Sequence, residues 1–315
     1  MTPKTNLPFL PLFAVILCVT QACKENPKIV KHRGERDLIS FKTVQGIGYS
    51  EISRRTATGL SFNEYGYHLE PQWQINFVSN DSASIYSPTK GQFINFPLTR
   101  GYDSIFNTAR VWFKVKIMNK DSLKLELIDS YGDTVDTRGA KIYMLFYADN
   151  YIKNTLHTNT TVLKRASARD SLFIRALSDA SNKDYTQAFA ATQPVTLTSN
   201  NPKVRVKKWT VEGDILNHFD TSDEYMNPTF DIVINKAHAD FYYSFSIIID
   251  SKGAIHYGKP LIPFLGEGLR KNYIQQSEAV MESYLKKYLA VKPGSTLGII
   301  HASEINLHVG GKVDR

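Results

Sequence analysis

Between Gln72 and Tyr147, apolar residues recur at every second position. Trp73, Ile75 and Phe77 alternate with polar neighbours. Phe113, Val115 and Ile117 alternate with Lys114 and Lys116, and Leu123, Leu125 and Leu127 with Lys124 and Glu126. A two-residue repeat sends one row of side chains into a core and the other into water, which is the pattern of a half-buried strand. Met118-Asn119-Lys120-Asp121-Ser122 is turn chemistry and predicts a hairpin between the last two runs. Asn80-Asp81-Ser82, Pro88-Thr89-Lys90-Gly91 and Tyr131-Gly132-Asp133 punctuate the other strands, and the unbroken apolar run Ile142 to Tyr147 reads as a central strand. No stretch here is long enough to be a crossover helix, which argues against a parallel sheet. The pattern predicts an antiparallel meander, either closed as a barrel or packed as a sandwich.

The pattern then changes. Arg165 to Ala180 is helix-compatible, with Leu172, Phe173, Ala176 and Ala180 in partial register. Ala188 to Pro202, rich in Ala, Thr, Asn and Pro, reads as a connection between two units. Val204 to Val211, Asp231 to Ile234 and Tyr243 to Ile249 read as strands, the last with Phe245, Ile247 and Ile249 on one face. Asp250-Ser251-Lys252-Gly253 is a turn that returns the chain through Ala254 to Tyr257. Leu269 to Leu289 is the best helix, with Ile274, Met281, Leu285 and Tyr288 on one stripe and Pro293-Gly294 as its stop signal. Ile305, Leu307 and Val309 close the chain as an edge strand. Its opposite row, Glu304, Asn306 and His308, then faces water or a partner. The fold class expected is mainly β with α+β: an N-terminal antiparallel barrel or sandwich and a small C-terminal module of hairpin, helix and edge strand.

That C-terminal order, with Phe245–Gly253 and Pro293–Gly298 as its most specific parts, resembles the TonB C-terminal domain over about residues 225–313. The resemblance implies a small α+β module that contacts envelope proteins by strand pairing. This chain departs from the family in having no long Pro-rich spacer and a longer segment, Gly258 to Gly268, before the helix.

The start of the chain adds an address. Lys4 precedes an almost wholly apolar run, Leu7 to Val19, interrupted by Pro8 and Pro11. A membrane span needs about 20 apolar residues; a charged leader and a shorter core form the signal-peptide pattern. Val19-Thr20-Gln21-Ala22-Cys23 resembles a lipobox, where cleavage precedes a diacylated cysteine. The chain has 2 cysteines, Cys18 and Cys23. Cys18 leaves with the signal, so the mature chain holds a lone thiol at its first position, and acylation accounts for it. No disulfide then holds the fold. The expected organisation is residues 1–22 as lipoprotein signal, 23–45 as tether, 46–185 as β domain, 186–202 as linker and 203–315 as α+β domain.

Charge and composition change the picture little. The formal charge of +8 is scattered along strands and loops, and with an export signal it does not point to nucleic acid. Aromatics at 12% fit a β-rich body. Candidate chemistry is sparse. His301, Glu304 and His308 look like metal ligands, but His301 lies an odd number of residues from both others and so on the opposite face of a strand. His218-Phe219-Asp220 with Asp223 and Glu224 lacks the alternating oxygen ligands of a calcium loop. Ser87-Pro88-Thr89-Lys90 fits Ser-x-x-Lys without the companion motifs that chemistry needs. Gly266-Glu267-Gly268 opens a helix without a phosphate-loop signature. No catalytic residues, metal or cofactor are assigned.

The expectation is therefore a non-catalytic cell-envelope lipoprotein, lipid-anchored at Cys23, in the periplasm or at the outer membrane. Its C-terminal module docks a protein partner through Glu304, Asn306 and His308. The alternative is a binding lipoprotein that holds an apolar or amphipathic small ligand in the N-terminal β domain.

Overall fold

A computed structural model describes residue 34 and residues 38–131, 134–136, 141–210 and 222–313. The described residues from Leu38 to Val313 form one compact unit. Cys23 and the leader lie outside the described residues, as does His218-Phe219-Asp220.

The alternating first half builds strands β1 (Gly48–Thr56), β2 (Gln74–Ser79), β3 (Ser82–Ser87), β4 (Gln92–Arg100), β5 (Ile105–Thr108), β6 (Val111–Met118), β7 (Ser122–Tyr131), β8 (Thr134–Asp136) and β9 (Ile142–Ala148). The hairpin between Phe113 and Leu127 is β6–β7, with Phe113 opposite Leu127. β1 pairs with β2 on one side and β9 on the other, and β6 pairs with β7, so the meander closes on itself as a barrel. β8 is a short ribbon on β7. Phe77, Ile85, Phe106, Phe113, Leu125 and Phe146 are fully buried inside the ring. Phe41, from the 3-10 turn before β1, stacks on Phe77 at 4.2 Å and fills one end. Polar-out, apolar-in alternation is the reverse of a membrane barrel. One position departs from the sequence pattern. A register shift between Val115 and Ile117 inserts an extra residue, so Ile117 turns outward at 45% exposure and Met118 packs on the core instead.

After β9 come α1 (Thr160–Leu163) and α2 (Ala168–Lys183). α2 starts at a capping box: Ser167 accepts from the Asp170 N–H, and Asp170 accepts from the Ser167 N–H.

The segment 186–202 is no free linker. Phe189, Ala190, Ala191, Val195 and Leu197 in it are buried, and β10 (Thr196–Ser199) pairs with a later strand. Its backbone is also tied to both sides: the Ala190 N–H donates to Tyr65 O at 3.0 Å and the Phe189 N–H to Ala302 O at 3.3 Å. Gly66, at φ +86, passes so close that a Cβ there would lie 2.2 Å from Ala190 O.

The remainder is β11 (Val204–Lys208), α3 (Asp223–Met226), β12 (Thr229–Asn235), β13 (Phe241–Ile249), β14 (Ile255–Pro260), α4 (Glu267–Val280), β15 (Leu289–Lys292), β16 (Ser295–Thr296), β17 (Ile299–Ile300) and β18 (Ser303–Lys312). The helix expected over Leu269–Leu289 is α4 followed by a wide turn over Met281–Leu285 and a last turn over Lys286–Tyr288. Met281 and Leu285 pack with Phe245, Ile247, Ile305, Leu307 and Val309 in one core, as the stripe predicts.

The closing strand is not an edge. The sheet order is β11-β12-β18-β13-β14. β18 runs parallel to β12 and antiparallel to β13, and both sides of its ladder are taken. The physical reason is the depth of its apolar row: Ile305, Leu307 and Val309 are all buried, and only a central position gives them neighbours on both sides. Among the described residues, the edges are β11 and β14.

Candidate functional site

The five-stranded sheet has an inner face under α4 and an outer face. Side chains that are paired across strands share a face, so the register lays out the outer one. Asp231, His308 and Ser244 lie side by side on β12, β18 and β13, with Lys207 next on β11. One step along are Thr229, Asn306 and Ser246. Trp209 joins that row, because its N–H continues the ladder to Thr229 O at 2.8 Å. On the other side Tyr242 pairs with Gly310, and its ring lies close to that glycine.

His308 sits in the middle of this face. Its Nδ1 shares a 2.8 Å hydrogen bond with Ser244 Oγ, which fixes the ring. The Trp209 ring lies 5.2 Å from it, and the Tyr242 ring lies 6.3 Å away within 4° of parallel. Trp209 is 51% exposed and Tyr242 66%. Glu304 stands at the far end, 3.6 Å from the Lys259 ammonium. The three residues expected at the partner surface are therefore together on one half-exposed face, though not along an edge. Trp209 and Tyr242 complete the face and were missed by the sequence reading. The signal for Trp209 was present in its alternation with Arg205 and Lys207.

The dismissed histidine has a different place. His301 is fully buried, stacked on Phe189 at 3.7 Å. Its Nδ1–H donates to Ala302 O at 2.9 Å, which leaves Nε2 to accept from the Thr296 hydroxyl at 3.0 Å. Burial pushes its pKa down and keeps it neutral. Ser87 is buried in the β3–β4 turn, with its Oγ accepting from the Lys90 N–H at 3.4 Å.

A concavity lies where the barrel meets the module. It is a cleft of about 350 Å³ whose lining includes His68, Glu70, Lys208, Glu224 and Tyr225. His68 stacks on Phe62 at 4.3 Å, its backbone N–H donates to the Tyr225 hydroxyl at 2.9 Å, and burial lowers its ring pKa. These contacts fasten α3 to the barrel loop.

No family model matches this sequence, and no curated protein matches it.

Proposed function

We propose that this chain is a non-catalytic, lipid-anchored protein of the cell envelope, acylated at Cys23, whose C-terminal module docks a protein partner. The observation that carries the docking site is the outer sheet face: Trp209, His308 and Tyr242 form an aromatic shelf with two of its three rings largely in solvent. Exposed aromatic rings held in place by a rigid sheet are the residues that anchor protein interfaces at low cost in entropy. Asn306 and Glu304 supply polar contacts beside them. The hairpin, helix and strand order of the TonB resemblance supports a docking module, but β18 has no free edge, so the face and not strand addition to β18 is the proposed contact. In the alternative reading an apolar ligand would have to share the barrel interior with Phe41, Phe77, Phe106 and Phe113, which are buried in its core.

A photo-reactive residue placed at Tyr242 or His308 should cross-link one defined envelope protein in living cells, and one at Lys124 on the barrel wall should not. Trp209→Ala should reduce that cross-link by about tenfold, the loss expected for one interface anchor. Equal cross-linking from the barrel wall would place the contact elsewhere. Mass spectrometry of the membrane-extracted chain should find a diacylglyceryl adduct on Cys23; an unmodified N-terminus would remove the anchor from the proposal.

A further inference from the structure

The loop 261–266 between β14 and α4, together with Leu269 in the first turn of α4, carries exposed aliphatic side chains outside the aromatic shelf. It is fastened at two points. The Leu261 N–H donates to Ser244 O at 3.0 Å, and the Phe264 ring packs edge-on against Tyr273 at 5.1 Å. Tyr273 is itself tied to the main chain of β13, accepting from the Ser244 N–H at 2.6 Å. Phe264 thus turns inward as the anchor. Ile262 and Leu269 turn outward at 40% and 64% exposure, and Leu265 is fully exposed.

Isolated exposed aliphatic residues are ordinary, but here three fall within eight residues, two on a held loop and one on the helical turn that follows it. Leu261 to Leu265 offers no side-chain donor or acceptor, so its side chains carry no polar specificity. A convex tip of branched aliphatics is best buried in a medium that conforms to it. The border of the tip selects the medium further. Lys259, Arg270 and Lys271 flank it, against Glu267 at 3.5 Å from Arg270 and Glu304 at 3.6 Å from Lys259, which leaves the border cationic in a chain of charge +8.

We infer that this loop seats the C-terminal module on a bilayer surface bearing anionic headgroups. Ile262, Leu265 and Leu269 enter the boundary between headgroups and acyl chains, and Lys259, Arg270 and Lys271 meet the phosphates. Entry is shallow, because the loop's peptide groups need hydrogen-bonding partners that hydrocarbon does not supply. The contact does not depend on acylation at Cys23 and does not use the aromatic shelf.

The two cysteines of the chain both lie before residue 24, so Cys18→Ser with Cys23→Ser gives a full-length background without thiol or acyl anchor. In it, Leu265→Cys carries an environment-sensitive fluorophore, with Leu172→Cys on α2, 68% exposed, as the control site. Adding vesicles of phosphatidylcholine with phosphatidylglycerol should raise and blue-shift emission at 265 but not at 172. Ile262→Ser with Leu269→Ser should then weaken the vesicle response about tenfold, as loss of buried apolar area requires. No response at 265, or the same response at both sites, overturns the inference. An equal response on phosphatidylcholine alone overturns its assignment to an anionic surface.

Discussion

Asp170 and His301 are both buried, and both contribute to how the protein meets acid. Asp170 is fully buried at the start of α2. Burial alone would raise its pKa, but the Ser61 N–H at 2.8 Å, the Ser167 N–H and hydroxyl, and the Arg55 guanidinium at 2.8 Å outweigh it and hold the carboxyl below its ordinary value. The unfolded chain therefore takes up this proton first. The stability Asp170 contributes is present above about pH 4 and is lost as pH falls through the folded value. His301 acts in the same direction at higher pH. Its folded pKa lies below the ordinary value, so its contribution is complete above about pH 6.5 and erodes as pH falls below that. Asp170→Asn should cost about 3 kcal/mol at neutral pH, read by urea denaturation, because it leaves Arg55 without its buried partner. It should also flatten the decline below about pH 4. An unchanged acid limb would mean that other carboxylates govern it. Strand parity placed Glu304 and His308 on one face of β18, but it does not govern His301, which lies before that strand begins at Ser303. The sequence did not show that Asp170 is buried: the capping box is local, but the Arg55 contact spans 115 positions.

At the scale of elements, alternation located most strands, and the errors came where long-range pairing decides. Period two fixes which side chains share a face. It does not say whether a strand has one neighbour or two, so β18 read as an edge from its place at the end of the chain. The candidate face was half legible for the same reason. Glu304, Asn306 and His308 follow from the parity of one strand, whereas Trp209 and Tyr242 reach them only through β11–β12–β18–β13 pairing. The central position changes what Asn306→Pro should do. On an edge strand, proline would remove an outward N–H and spare the fold. Here the Asn306 N–H donates to Pro228 O at 2.8 Å, and the residue sits between Thr229 and Ser246. Proline should therefore destabilise the whole body by about 3 kcal/mol or more, visible as a lower urea midpoint. A folded Asn306→Pro protein that has lost only its partner would return β18 to an edge.

At the scale of the whole molecule, the segment 186–202 determines whether the barrel and the C-terminal module are separable. Its Ala, Thr, Asn and Pro content reads as a connection, because composition reports solubility and turn propensity and not what a residue touches. Three ties make it part of the body. Phe189 stacks on buried His301 and takes part in a small core with Phe62 of the barrel side and Ile174 of α2. β10 pairs along its length with β15, which follows the helix of the C-terminal module. Gly66 lies against Ala190 so closely that neither segment can move without the other. A protease needs an extended, accessible stretch, and such stretches are found at exposed tips and not at buried pairings. Limited proteolysis should therefore spare 186–202 while the body is folded, and barrel and module should lose structure in one urea transition, followed by both far-ultraviolet circular dichroism and tryptophan fluorescence. Trp73 reports from the barrel core and Trp209 from the sheet face, so the probes sample both halves. Early cleavage within 186–202 that yields two folded fragments would mean that the two halves are independent domains. In that case the packing of Phe189 and Ala190 would have to be weak enough to open without unfolding either core.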